Sequence, residues 1–182
     1  SGKMGYAIAE EAVRMGAKVT LVSGPSALSV PEGVQLVPVQ SALDMREAVL
    51  SRLSESHLII KAAAVADYRP AVVAEQKIKK KADSLTLELI KNPDILQEVG
   101  SLKTAKQFVI GFAAETESLD EHAMDKLKRK NCDLIVGNDV SQEGAGFGVD
   151  TNVVRFYDQN GLVQALPIQS KSDVARRLLE LA

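Results

Sequence analysis

Short β-branched runs alternate with stretches of helical period along most of this chain, and that alternation limits the folds open to it. Residues 18–22, 34–39, 58–60, 108–112 and 134–139 are apolar runs of strand length. Among them, residues 4–15 repeat Met4, Ile8, Ala12 and Met15 at helical spacing, and Gly16 ends that pattern. Residues 41–54 place Ala42, Met45, Val49 and Leu53 on one helical face; residues 117–130 form a polar helix; residues 172–181 turn Val174, Leu178 and Leu181 inward. A strand that is apolar nearly throughout, rather than alternately, is one covered on both faces. The pattern therefore predicts an α/β fold: a mostly parallel sheet with helices on both faces.

Two segments depart from the alternation. Residues 153–157 and 162–168 flank Asp158-Gln159-Asn160-Gly161, whose Asn-Gly pair suits a tight turn, so an antiparallel hairpin is expected at one edge. Residues 77–81 and 85–90, separated by Ala82-Asp83-Ser84, read as a second hairpin or flap. Asn92-Pro93 marks a helix start, with Asn as the cap and Pro in the first helical position. No repeat, low-complexity tract or linker interrupts the chain, and residues 1–182 are expected to form a single domain. Residues 1–5 run straight into a helix with no strand ahead of them, as in an α/β domain that has lost its first strand.

Composition narrows the function. A net charge of −2 gives no general attraction to nucleic acid. No apolar run approaches the roughly 18–20 residues of a membrane helix. The single cysteine, Cys132, cannot form an intrachain disulfide, in keeping with a reducing cytoplasm. It has no histidine or acid beside it to activate it, and His57 and His122 fit neither a triad nor a metal-ligand spacing. A small-molecule site is expected.

In open α/β sheets such sites lie beyond the carboxyl ends of the strands. Those ends carry Ser23-Gly24, residues 63–67, 111–115 and 137–139. Ser1-Gly-Lys-Met-Gly opens a helix, where free N–H groups favour a phosphate; close helix–sheet packing at Gly5 is the plainer reading. The basic run Lys77, Lys79, Lys80, Lys81 suits either a solvated face or a triphosphate. Lys126 and Lys130, at i, i+4 spacing, form either a cationic rim or a complement to a helix dipole. Asp67, just past Lys61 and a run of small residues, either holds ribose hydroxyls or a metal-bound water, or caps a turn.

Six motifs then occur in a familiar order: Ser1-Gly-Lys-Met-Gly, Ala62-Ala-Ala-Val-Ala-Asp-Tyr-Arg, Lys77-Ile-Lys-Lys, Lys91-Asn-Pro-Asp-Ile, Gly111-Phe-Ala-Ala-Glu-Thr and Asn138-Asp-Val. In this order and spacing, over nearly the whole chain, they resemble the phosphopantothenoylcysteine synthetases, whose fold is Rossmann-like. The resemblance implies a ligase that uses CTP with Mg²⁺ to activate 4′-phosphopantothenate as an acyl-cytidylate, from which the amine of cysteine displaces CMP.

Carried over motif by motif, the resemblance makes Lys77 the flap lysine that acts on the triphosphate, and so a catalytic residue. It assigns Lys61, Ala62, Ala63 and Asp67 to the CTP-binding strand end, with Asp67 on the ribose. It makes Phe112, Lys126 and Lys130 further nucleotide contacts, and Pro93, Asp94, Ile95 and Leu96 the helix start lining the same pocket. Ser1 and Gly2 fall where the family holds the substrate phosphate. A homodimer is implied, as is natural fusion to a flavin-dependent decarboxylase. The family's Gly-rich turn, Arg and Asn ahead of the Ser-Gly-Lys-Met-Gly element are not in this sequence, so the chain is expected to bind CTP without completing the ligation efficiently. Two other readings are an NAD(P)-dependent oxidoreductase and a non-catalytic nucleotide-binding module. The first lacks an acidic residue after residues 19–22, where its ribose partner belongs.

Overall fold

A computed structural model of the chain describes residues 2–78, 84–141 and 148–182. The elements follow in the order α1 (Lys3–Arg14), β1 (Val19–Ser23), β2 (Val34–Pro38), α2 (Ala42–Leu50), a 3₁₀ turn (Leu53–Glu55), β3 (Leu58–Lys61), β4 (Tyr68–Pro70), β5 (Leu89–Lys91), α3 (Ile95–Leu102), β6 (Phe108–Glu115), α4 (Leu119–Arg129), β7 (Leu134–Asp139), β8 (Thr151–Asp158), β9 (Gly161–Ser170) and α5 (Lys171–Glu180).

The central sheet has the order β3-β6-β7-β8-β9. Its first three strands are parallel, and β8 and β9 add the expected antiparallel edge through a turn at Gln159-Asn160. Gly161, at φ 116°, takes a conformation that a side chain would resist there, and the Asp158 carboxylate accepts the Asn160 N–H at 2.7 Å. Helices cover both faces. On one, α3 and α4 bury Ile95, Leu96, Val99, Ala123 and Leu127 against Val109, Ile135 and Tyr157. On the other, α1 and α5 bury Ile8, Val174 and Leu178 against Ile110, Val136, Val154 and Phe156. The α/β architecture expected from the alternation is the one found.

Three local expectations change. Residues 18–22 were expected as a buried strand; β1 is parallel to β2, but the two form a separate pair and Thr20 is exposed. Among the described residues β1 pairs with β2 alone, and four of its five residues are half-buried rather than buried. The flap does not pair residues 77–78 with 85–90: β5 pairs antiparallel with β4, through Tyr68↔Lys91 and Pro70↔Leu89. Leu85, Leu87 and Leu89 are all more than half exposed, so their alternation has no buried face to fix a register. The remainder of that expected hairpin, from Lys79 to Asp83, lies outside the described residues. Finally, Asp94 rather than Asn92 caps α3, accepting the Gln97 N–H at 3.0 Å, and Pro93 precedes the helix.

One register detail shapes the site. Pairing of β3 with β6 stops at Lys61↔Gly111, whereas β6 stays paired with β7 as far as Glu115↔Asp139. The last four residues of β6 thus extend past the end of β3 and leave an open edge at the carboxyl rim.

Candidate functional site

Three lysines converge on that edge from two elements, β3 and α4. Lys61, the last residue of β3, donates Nζ to the Ala63 carbonyl at 2.9 Å. Lys126 of α4 donates to the Phe112 carbonyl at 2.7 Å, one residue past the point where β3 stops pairing. Lys130, the C-cap of α4, is buried and donates to Asp94 Oδ2 at 2.5 Å. The two α4 lysines lie one turn apart, so one helix face delivers both. Close packing of the helices sets their height: a Cβ on Gly100 of α3 would fall 1.8 Å from the Lys130 carbonyl oxygen.

The electrostatics are those of an anion site. Burial, and then the charge of Lys126, push the Lys61 ammonium below its ordinary range. Burial does the same to Lys126, against the pull of Glu115 and Asp94. Burial acts to raise the Asp94 carboxyl, but the Lys130 hydrogen bond, the Gln97 amide and the nearby cations together hold it below the usual carboxylate range. Asp94 acts on all three ammonium groups, with Glu115 also acting on Lys126 and Asp67 on Lys61. Each ammonium carries three donors and has one hydrogen-bond acceptor among the described residues.

The loop after β3 is strapped to the start of α3. Asn92, itself buried, donates its backbone N–H to the Asp67 carbonyl at 2.7 Å and Nδ2 to the Ala66 carbonyl at 2.9 Å. Arg69 returns a bond to Asn92 Oδ1 at 3.0 Å. Beside this strap opens a cleft of about 360 Å³, lined by Gly24, Gln40, Ser41, Ala66, Arg69 and Asn92. The lysines do not line it; they form a shelf alongside.

Over residues 1–182 the chain matches the family described as DNA/pantothenate metabolism flavoprotein, C-terminal domain. It belongs to that family. It is 51% identical over 181 residues to the coenzyme A biosynthesis bifunctional protein CoaBC of Bacillus subtilis, covering 99% of this chain and 44% of that protein. The crystal structure of the C-terminal domain of a CoaBC protein superposes with a TM-score of 0.83 at 45% identity, covering all of this chain and 81% of that one. The DNA/pantothenate metabolism flavoprotein of Streptococcus pneumoniae superposes at 0.80 with 25% identity, covering 98% and 86%. The chain spans less than half the length of the curated relatives it matches.

Seen as a member of this family, the chain gathers most of the residues singled out by sequence. Lys61, Asp94, Lys126 and Lys130 come together, with Phe112 contributing its carbonyl while its ring packs toward the α1 side of the sheet. Ala62 is half-buried, and Ala63 and Asp67 are exposed on the loop beside Lys61. Pro93 is half-buried ahead of the cap. Ile95 and Leu96 point into the core, so only their backbone groups can meet a ligand. Lys77 is exposed and makes no hydrogen bond or ion pair among the described residues, and Lys79, Lys80 and Lys81 lie outside them. Gly2 stands at φ 75° at the start of α1, which has no side-chain cap; Ser1 lies outside the described residues.

Sequence reasoning gave no role to three other groups at this rim. Glu115, at the end of β6, meets His122 Nδ1 at 3.2 Å. Asn138, at the end of β7, is buried with Oδ1 unpartnered among the described residues. Tyr157, buried under α4, donates its hydroxyl to Asp120. The strand end at residues 137–139 and the Asn138-Asp-Val motif were the signals for the second. Cys132 is buried, and burial pushes its thiol up to about 11, far from a nucleophile's range.

Proposed function

We propose that this chain joins 4′-phosphopantothenate to cysteine, driven by CTP, as the synthetase of coenzyme A biosynthesis. The observation that carries the reading is the shelf of Lys61, Lys126 and Lys130 at the open end of β3 and β6, in a chain 45% identical to the C-terminal domain of a CoaBC protein. A carboxylate is a poor acyl donor. One of its oxygens attacks the α-phosphorus of CTP; a P–O bond forms, the α–β bridge breaks, and pyrophosphate leaves with its magnesium. The cysteine nitrogen then attacks the acyl carbon, the C–O bond to CMP breaks, and the ammonium proton passes to solvent.

In this reading Lys61, Lys126 and Lys130 offset the standing charge of the bound phosphates. Asp67 takes the ribose, and the backbone at Ala62, Ala63, Pro93, Ile95 and Leu96 walls the nucleotide beside Phe112. Lys77 arrives with its segment on the leaving pyrophosphate. Ser1 and Gly2 receive the substrate phosphate at the uncapped start of α1. Magnesium comes with the triphosphate, held mainly by phosphate oxygens and water. An oxidoreductase is disfavoured because β1 ends at Ser23-Gly24, with no acid for a ribose.

The natural chain works as a homodimer in the cytoplasm, joined to a flavin-dependent decarboxylase domain. Val72 and Val73, each more than 80% exposed, together with Leu85 and Leu87 give the flap an apolar surface that a second copy would cover. A monomer by light scattering at micromolar concentration would overturn the dimer. Parallel calorimetric titration with Mg-CTP, Mg-ATP and NAD⁺ tests the nucleotide. Selective binding of Mg-CTP, followed by release of pyrophosphate and formation of phosphopantothenoylcysteine, is expected. Binding of NAD⁺ with no response to CTP would overturn the ligase.

A further inference from the structure

Helix α4 delivers Lys126 and Lys130, yet its own beginning is weakly specified. It starts at Ser118, a non-glycine residue at φ 49°, with no side-chain cap. A bulky backbone in the left-handed region persists only where its surroundings hold it. The hold comes from β8. Tyr157 donates its hydroxyl to Asp120 Oδ1 in the first turn of α4, and Arg155 Nη1 donates to the same oxygen at 2.8 Å. Tyr157 is buried to 1% exposure, and its ring packs in the cluster that contains Ala123 and Leu127 of the same helix. Gly137 on β7 makes room: a Cβ there would meet the Tyr157 ring at 2.9 Å and Leu119 at 3.0 Å.

We infer that Tyr157 and Arg155 are positioning residues for the anion site: through Asp120 they fix the axial position of α4, and so where Lys126 and Lys130 stand. The β8–β9 hairpin, which gives the shelf no lysine, thereby sets its geometry. The inference rests on the nucleotide reading above. A displacement of about 1 Å in charged groups that clamp a phosphate costs up to about a hundredfold in rate, so a slipped helix should be felt in binding as well.

The test measures Mg-CTP affinity by calorimetry for the wild-type chain, Tyr157→Phe, Asp120→Asn and Lys126→Ala, with Tm recorded for each. Tyr157→Phe keeps the buried ring and removes only the hydroxyl. It is expected to weaken Mg-CTP by about five- to tenfold at a temperature well below its Tm, and Asp120→Asn to do likewise. In a Lys126→Ala background the same Tyr157→Phe change should cause a clearly smaller further loss than in the wild type, because part of its effect travels through that lysine and only the part through Lys130 remains. Unchanged affinity in both single variants, or an undiminished loss in the double variant, would overturn the inference while leaving the ligase reading intact. A wild-type chain that binds no Mg-CTP would instead remove the reading on which the inference stands.

Discussion

Lys126 and Lys77 are the same residue type assigned to the same ligand, and the molecule treats them oppositely. Lys126 is fixed by a strand carbonyl, shares a shelf with two other cations, and carries a charge that burial makes costly. Lys77 is exposed, in a segment flanked by Val72, Val73, Leu85 and Leu87 that the core does not cover. A preorganised cation costs nothing further to position when the ligand arrives. An exposed one must be brought to the site by closing its segment. The contrast separates standing affinity, which belongs to the shelf, from assistance to the leaving group, which belongs to the flap.

The sharpest way to break that separation is Lys77→Ala. We expect turnover to fall by about 10²–10³, the range for loss of one group that stabilises charge in the transition state, with Mg-CTP affinity within about twofold of wild type. Single-turnover quench against calorimetry separates the two. An equal loss of affinity and rate would put Lys77 on the shelf after all. Lys126→Ala should do the reverse: affinity down by about ten- to a hundredfold, since a charge-assisted hydrogen bond contributes about 1.5–3 kcal/mol. Unchanged affinity would move the nucleotide elsewhere.

The same contrast separates what the sequence disclosed from what it withheld. β7 was placed at both ends because its first four residues are buried and apolar or small, leaving pattern and packing in agreement. The β8–β9 hairpin was equally clear, its turn chemistry and strand period pointing the same way. The flap failed because period two without a buried face fixes no partner; β5 found Tyr68–Pro70 instead. At the site, i, i+4 spacing disclosed Lys126 and Lys130 as a pair, but either as a rim or as a complement to the helix dipole. Only the tertiary approach of α3 buries Lys130 on Asp94. The sequence pointed to Asn92 as the cap of α3, but the cap is Asp94, because Asn92 is used to strap the loop after β3.

A smaller effect tests how far the shelf is structural. Lys130→Met keeps most of the buried stem and removes the ion pair. The Asp94 side chain left behind is 46% exposed and can rehydrate, so the cost should be about 1 kcal/mol, or a Tm lower by about 2–4 °C. A loss several times larger would mean that Asp94 depends on this partner to keep α3 in place.

The smallest and most diagnostic effect is the alkaline pH dependence. Lys61 and Lys126 both have folded values held below that of an unfolded lysine, by burial first and by neighbouring cations second. Between the lowered value and about 10.4 the unfolded chain binds more protons, so stability contributed by these two groups rises with pH across that window. Mg-CTP affinity moves the other way, because each ammonium that loses its proton removes a charge from the shelf. The wild-type chain should therefore bind more weakly as pH climbs through the range below an ordinary lysine's, while the difference in stability between it and Lys126→Met changes in favour of the wild type. Lys77→Ala should follow the wild-type binding profile, and Lys126→Ala should show a shallower one. Parallel profiles for all three would show that the flap and the shelf are not electrostatically distinct, and the comparison would fall.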